Sequence, residues 1–159
     1  MSLTLVHALL PYCIVSLFTK DRKLRLLALV AGAFPDLDGL PIFWDRQLFL
    51  DVHREILHMP ILGLVFSIPL AFVLEKYYKI AKWKTITVFT GAFVLHNITD
   101  VFFTDWPIKL LWPLSMENFS FVLPGVDFLN LVLLGIVGVV TIWVFISNVG
   151  LPREDEVHG

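Results

Sequence analysis

Charge is scarce in this chain. Lys, Arg, Asp and Glu make up 16% of its 159 residues, against roughly 25% in an ordinary soluble domain. Cysteine is nearly absent: Cys13 stands alone, so an internal disulfide is excluded and the redox compartment cannot be read. No Lys or Arg precedes the first apolar run and no small-residue cleavage pattern follows it, so the N-terminus reads as a mature helix rather than a secretory signal. A surplus of positive charge is missing too, and a net charge of −2 speaks against a nucleic-acid binder. Internal repeats and low-complexity segments are absent. What is abundant is apolar surface: 57% of the residues, with a mean hydropathy of +0.80. One water-soluble core of this size cannot hide that much, which leaves an integral membrane protein.

A bilayer core needs about 20 mostly apolar residues per helix. Five stretches qualify as spans: Leu3 to Thr19, Leu24 to Phe34, Ile56 to Leu74, Thr85 to Phe103 and Val126 to Val149. The second is short and stops at Pro35, but it can extend into Asp36-Leu37-Asp38 if neighbouring helices cover the polar groups. The expected fold is therefore all-α, a polytopic helical bundle with about five transmembrane helices in residues 1–150, followed by a polar tail at 151–159. Ala28 and Gly32, four residues apart, permit close helix contact.

Lys20, Arg22, Lys23 and Arg25 lie between spans one and two, Lys76, Lys79, Lys82 and Lys84 between spans three and four, and Arg153 in the tail. Only Arg46, Arg54 and Lys109 fall on the other side. The positive-inside tendency makes the larger set cytoplasmic, with the N-terminus outside and the C-terminus inside. Both basic loops share a side only if the short second span crosses.

Ionisable groups inside spans cost roughly 2.5–3.5 kcal/mol each on insertion scales. Here His7 lies in span one, Asp36 and Asp38 close span two, His53, Arg54 and His58 open span three, and His96 and Asp100 sit in span four. All fall toward the outer face, although the orientation came from Lys and Arg alone. A single histidine near an interface is ordinarily an interfacial residue; four histidines and three aspartates at one level ask for a common cause. A metal centre is one, a proton relay or transport pathway another.

The spacings carry chemistry. His96 and Asp100, at i and i+4, share a helix face and can bind one metal, or one can orient the other. Asp36 and Asp38 follow Pro35 in backbone leaving a helix and can turn to a common centre. His53 and His58, at i and i+5, converge only if His53 precedes the helix. Imidazoles with carboxylates suit zinc, iron or manganese. Trp106, Trp112 and the phenylalanines around 119–128 read as an interfacial aromatic belt, and Glu75 to Lys84 as a simple cytoplasmic loop.

The ordered set of a first-helix His7, Pro35-Asp36-Leu37-Asp38, His53-Arg54 with His58, His96 with Asp100, and Leu110-Leu111-Trp112-Pro113-Leu114-Ser115 resembles the YdjM-like family of membrane-bound metal-dependent hydrolases. A more distant similarity runs to zinc-dependent phospholipase C, through HxxxD spacing. The resemblance implies a metal site formed by His7, Asp36, Asp38, His53, His58, His96 and Asp100, and a hydrolase whose substrate it leaves open. The chain departs from the family pattern at Met59-Pro60 and at Thr104-Asp105-Trp106-Pro107, which bears on the shape of the entrance.

The expectation is a metal-dependent membrane hydrolase with zinc favoured over manganese or iron. The bond is a phosphoester of a membrane lipid or lipid-linked molecule, and no nucleic acid is involved. The candidate catalytic residues are Asp36 or Asp38 as general base and Arg54 for the anionic group, with Lys109 as a weaker second cation. Arg54 can equally pair with Asp36 or Asp51 as a clamp. An ion-coupled transporter would need polar groups continuing to the cytoplasmic side, where the spans are almost wholly apolar; a structural membrane protein would need no metal.

Overall fold

The computed structural model of the chain describes residues 4–55 and 57–149; Ile56 and the tail, with Arg153 and His158, lie outside the described residues. Among them the protein is all-helical, with one isolated bridge between Ile108 and Phe119. Helix α1 spans Thr4–Phe18 and α2 Arg22–Ala33; a 3-10 helix, Pro35–Phe43, follows, then α3 Arg46–Val52, α4 Pro60–Tyr78, α5 Lys82–Phe103 and α6 Val126–Val149. Three helices, α4, α5 and α6, are long and apolar enough to cross a membrane. A fourth crossing is available if α2 and the 3-10 helix, which meet at a bend of 56°, form one broken span. At 15 residues, α1 is shorter than the span a bilayer asks for.

Local chemistry sets the boundaries. Asp21 caps α2 by accepting the Lys23 N–H at 2.8 Å. Pro35, which has no N–H to continue the α-helical ladder, begins the 3-10 helix. Helix α4 begins at Pro60, four residues later than the hydropathy alone suggests, because a proline at the first helical position needs no partner for a missing N–H. His53 and His58 thus both precede the helix they were expected to open. At its other end α4 runs through Glu75 to Tyr78 and stops at Lys79 in left-handed backbone, φ 59°. The expected loop from Glu75 to Lys84 therefore shrinks to three residues, Lys79–Ala81, bridged on its flanks by Lys82 and Glu75 at 3.0 Å. The short α3 was not anticipated; Asp45 caps it at 3.0 Å from the Leu48 N–H, and it buries Phe49.

The two basic turns meet. Lys23 Nζ donates to the Tyr78 carbonyl at 3.0 Å, which places the α1–α2 and α4–α5 connections at one end of the bundle. Leu24, Leu27, Ala31, Phe89, Ala92, Phe93 and Ile80 form the core between them. From that end α2 runs to the opposite one and delivers Asp36 and Asp38 there. The passage depends on Gly32: a Cβ there would sit 2.2 Å from the His7 carbonyl oxygen and 2.5 Å from Pro11, so only glycine lets α1 lie this close. Helix α6 packs mainly along α1, where Cys13 Sγ and Thr141 Oγ1 are 3.3 Å apart.

Gly32→Ala should therefore lower stability by about 1–3 kcal/mol or more through overpacking. Gly91→Ala, on the same bundle but with nothing within 4 Å of the added carbon, should be neutral or slightly stabilising. Thermal unfolding of both variants in one detergent separates the two outcomes; equal midpoints would deny the close α1–α2 contact.

Candidate metal centre

Four elements converge at the end opposite the basic turns. The first turns of α1 carry His7, the start of the 3-10 helix carries Asp36 and Asp38, the turn ahead of α4 carries His53, Arg54 and His58, and the last turns of α5 carry His96 and Asp100. His7, His58, His96, Asp100 and Arg54 are buried.

The contacts are close. His58 Nε2 lies 3.2 Å from His96 Nε2, 3.3 Å from Asp100 Oδ2 and 3.5 Å from Asp36 Oδ1. His96 Nε2 lies 3.4 Å from Asp100 Oδ2 and 3.6 Å from Asp36 Oδ1. Two further groupings overlap this one: His7 with His96 and Asp100, and Asp36 with His53 and His58, each offering ligand atoms within 4.8 Å of one another.

Hydrogen bonds fix how the rings present themselves. His96 Nδ1 donates to the Gly32 carbonyl at 2.7 Å, because a carbonyl can only accept. His58 Nδ1 donates to Asp38 Oδ2 at 3.1 Å, and His53 Nδ1 to Asp38 Oδ1 at 2.6 Å. The Thr99 hydroxyl gives its proton to the His96 carbonyl at 2.7 Å and so receives one from His7 Nδ1 at 2.8 Å. In the neutral rings the remaining lone pair is on Nε2. For His58 and His96 that nitrogen faces carboxylate oxygens and the other ring, 3.2 Å away, where a proton carried by one ring or a metal ion relieves the repulsion. Asp100 Oδ2 and Asp36 Oδ2 are buried without a hydrogen-bond partner among the described residues. Lone pairs and carboxylates gathered in an apolar setting repel unless positive charge lies among them. Nitrogen and oxygen donors with a second set of hydrogen bonds behind them suit a divalent transition metal such as zinc, manganese or iron.

Asp38 and Arg54 occupy different positions from the converging donors. Both Asp38 oxygens are engaged, one by His53 and the other by His58 and by the Arg54 backbone N–H at 3.0 Å. The Arg54 side chain reaches neither Asp36 nor Asp51. It donates to Asp100 Oδ1 at 3.0 Å, to the Trp106 carbonyl at 2.9 Å and to the Thr104 hydroxyl. Its φ of 70° is in the left-handed region, a strained conformation for a side chain of this size, held by these bonds. Asp51 instead accepts from Gln47, and Lys109 pairs with Glu55 away from the cluster.

The spacing arguments missed the supporting groups. Trp106, assigned to an interfacial belt, is a wall of the site: its ring stands edge-on to His53 at 5.4 Å and 5.7 Å from the Arg54 guanidinium. Phe49 stacks on His53 at 4.8 Å. Thr99 and Thr104 are polar residues on apolar α5 and its cap, a signal that was present in the sequence; the Gly32 carbonyl left none.

An all-helical bundle with spans of membrane length and an aspartate–histidine centre at one end defines a polytopic membrane protein with a candidate metal site. The chain belongs to the YdjM inner membrane protein family, which matches residues 1–153. No curated protein and no solved structure matches it.

Arg54 is 7% exposed and Asp100 fully buried. Arg54→Ala strands that carboxylate and should destabilise the protein by about 3 kcal/mol. Arg54→Lys, which keeps the charge but loses the fork, should fall between. Chemical unfolding in detergent measures both; wild-type stability for Arg54→Ala would show that the guanidinium clamps nothing.

Proposed function

We propose that the chain is a metal-dependent hydrolase acting at the membrane on a phosphoester of a lipid or lipid-linked molecule. One observation carries this reading. Five of the six separations among His58 Nε2, His96 Nε2, Asp36 Oδ1 and Asp100 Oδ2 run from 3.2 to 3.6 Å. A tetrahedron whose corners lie ~2.0–2.1 Å from its centre, the zinc–nitrogen and zinc–oxygen distance, has edges of about 3.3 Å. His58, His96, Asp100 and Asp36 are thus the residues that would hold the metal, zinc being favoured.

A catalytic zinc keeps one position open. Asp36 is the corner suited to give way, since its separations, 3.5 and 3.6 Å, are the longest and its side chain, at 13% exposed, is the most accessible of the four. Its Oδ2 is buried without a hydrogen-bond partner among the described residues, which leaves it a free acceptor for the proton of a water admitted beside it. A divalent metal, when bound, lowers the pKa of water toward about 7 and stabilises charge on phosphoryl oxygens. The chain's own part is positional: Asp38 holds His58 and His53, the Gly32 carbonyl holds His96, Thr99 holds His7, and Arg54 holds Asp100. Arg54 is accordingly a positioning residue. A lipid substrate is supported by the 3-10 helix that carries Asp36, on which Leu37, Leu40, Ile42 and Phe43 are exposed, with Trp44 exposed at its end.

The topology that goes with this reading has five crossings, with α1 and the bent α2 unit among them. The N-terminus is outside, the C-terminus cytoplasmic and the site on the outer face of the cell membrane. The nine-to-three division of Lys and Arg supports it. In a Cys13-free background, a cysteine at Leu48 should label from outside intact cells and one at Lys79 should not; the reverse pattern inverts the orientation.

Elemental analysis with an activity screen tests the chemistry. Protein purified without chelator should carry a transition metal that His96→Ala and Asp100→Ala lose. Asp36→Asn should retain metal yet lose at least about a hundredfold in hydrolysis of lipid phosphoesters, the smaller end of what a general base contributes. Hydrolysis restricted to carboxyl esters would remove the phosphoester assignment, and full activity without metal would remove the reading altogether.

A further inference from the structure

A second charged cavity lies at the other end of the bundle and is not part of the metal centre. It has a volume of about 510 Å³ and lies between the end of α1, the start of α2 and the end of α6, with Lys20, Arg25, Thr19, Trp143 and Ser147 in its lining. Arg25 and Asp36 are eleven residues apart along α2 and its continuation, or about 16 Å at helical rise. We propose that this cavity binds the phosphate headgroup of an anionic phospholipid.

Arg25 carries the argument. Its side chain is buried, 6% exposed, in a helix that runs through the bundle. Its Nε donates to the Thr19 carbonyl at 2.8 Å, which orients the guanidinium and leaves the NH1 and NH2 ends of the fork without a hydrogen-bond partner among the described residues. No described carboxylate lies within 4 Å of it, whereas Arg54 at the other end has Asp100 at 3.0 Å. A buried guanidinium with no counter-ion is costly, and its paired N–H groups match two oxygens of one phosphate. Lys20, exposed at the rim, adds a second positive charge. No acidic residue among the described ones lines the cavity, so the cation of a zwitterionic headgroup has no partner among them. Leu17 and Phe18 are exposed beside it and offer an apolar surface to acyl chains, and the exposed Trp143 is the amphipathic residue favoured at headgroup level. A basic pocket between membrane helices is a recognised form of headgroup site.

The test uses the full chain in neutral detergent and reads thermal stability against added phosphatidylglycerol, phosphatidylcholine or inorganic phosphate. Phosphatidylglycerol should raise the unfolding temperature saturably, while phosphatidylcholine should have at most a small effect. Arg25→Gln should weaken the apparent phosphatidylglycerol affinity by about tenfold, as expected for losing a charge-assisted hydrogen bond. Lys20→Gln, a surface change that spares the fold, should weaken it by a smaller factor. Equal responses to the two lipids, or wild-type affinity in both variants, would overturn the proposal. Saturation by inorganic phosphate at the same concentration as phosphatidylglycerol would also overturn it, by making the ligand a free anion. So would a response that appears only after removal of residues 151–159, which would make the tail's own acids the partner of Arg25. None of these readouts depends on metal or hydrolysis.

Discussion

Asp100 is a carboxylate with no exposed surface on a largely apolar helix, and the arrangement at its end of the bundle follows from accommodating it. One oxygen takes the Arg54 guanidinium at 3.0 Å and faces His7 Nε2 at 3.3 Å. The other has no hydrogen bond and faces two imidazole nitrogens. Arg54 reaches Asp100 with its own backbone in the left-handed region, and that backbone is held in turn by Asp38. Asp38 also orients His53 and His58. One buried charge is thereby linked to a strained turn, to the 3-10 helix and to α1. Such a network is stable only when every member is satisfied, and Asp100 Oδ2, which has no hydrogen bond, is the atom a bound cation would satisfy.

Much of this was legible in the sequence, for reasons that differ from element to element. Length and hydropathy are local properties, so α5 and α6 were placed within a few residues, and His96 and Asp100 were put on one face by helical periodicity alone. The polar residues stood out because an apolar background makes them expensive. The start of α4 was misplaced because hydropathy does not register that a proline prefers the first helical turn. Helix α3 escaped because seven residues with one buried phenylalanine carry too little periodicity to separate from a loop. The roles of Asp38 and Arg54 were out of reach for another reason. Whether a carboxylate meets a cation or a neighbouring N–H is decided by contacts between residues fifteen to fifty apart in the chain, such as Asp38 with His53 and Arg54 with Thr104.

The bundle is electrically divided. At one end carboxylates outnumber the cations that reach them, and Arg54 is already committed. At the other end Lys20, Lys23, Arg25 and the α4–α5 lysines gather with few acids, Glu75 pairing with Lys82. The Lys23 bond to Tyr78 shows that this is a property of the folded chain and not only of the two loops read separately. Charge separation of this kind follows the bilayer, since a membrane favours cations at one surface and resists ionisable groups between them.

The division also accounts for where rigidity lies. Gly32 stands at the junction of the two regions: its missing side chain lets α1 approach α2, and its carbonyl receives the His96 proton. Helix packing and ligand orientation therefore share one residue. A shift of α1 against α2 would move His7 directly and His96 through its hydrogen bond, so the spacing of the helices sets the separation of the imidazoles. The centre is thus built on α-helices at His7, His96 and Asp100, and on the 3-10 helix and the turn ahead of α4 at Asp36, Asp38 and His58. The first group is held more precisely than the second, because α-helical backbone is the more rigid support. Asp36, the most exposed of the four converging donors, is in the second.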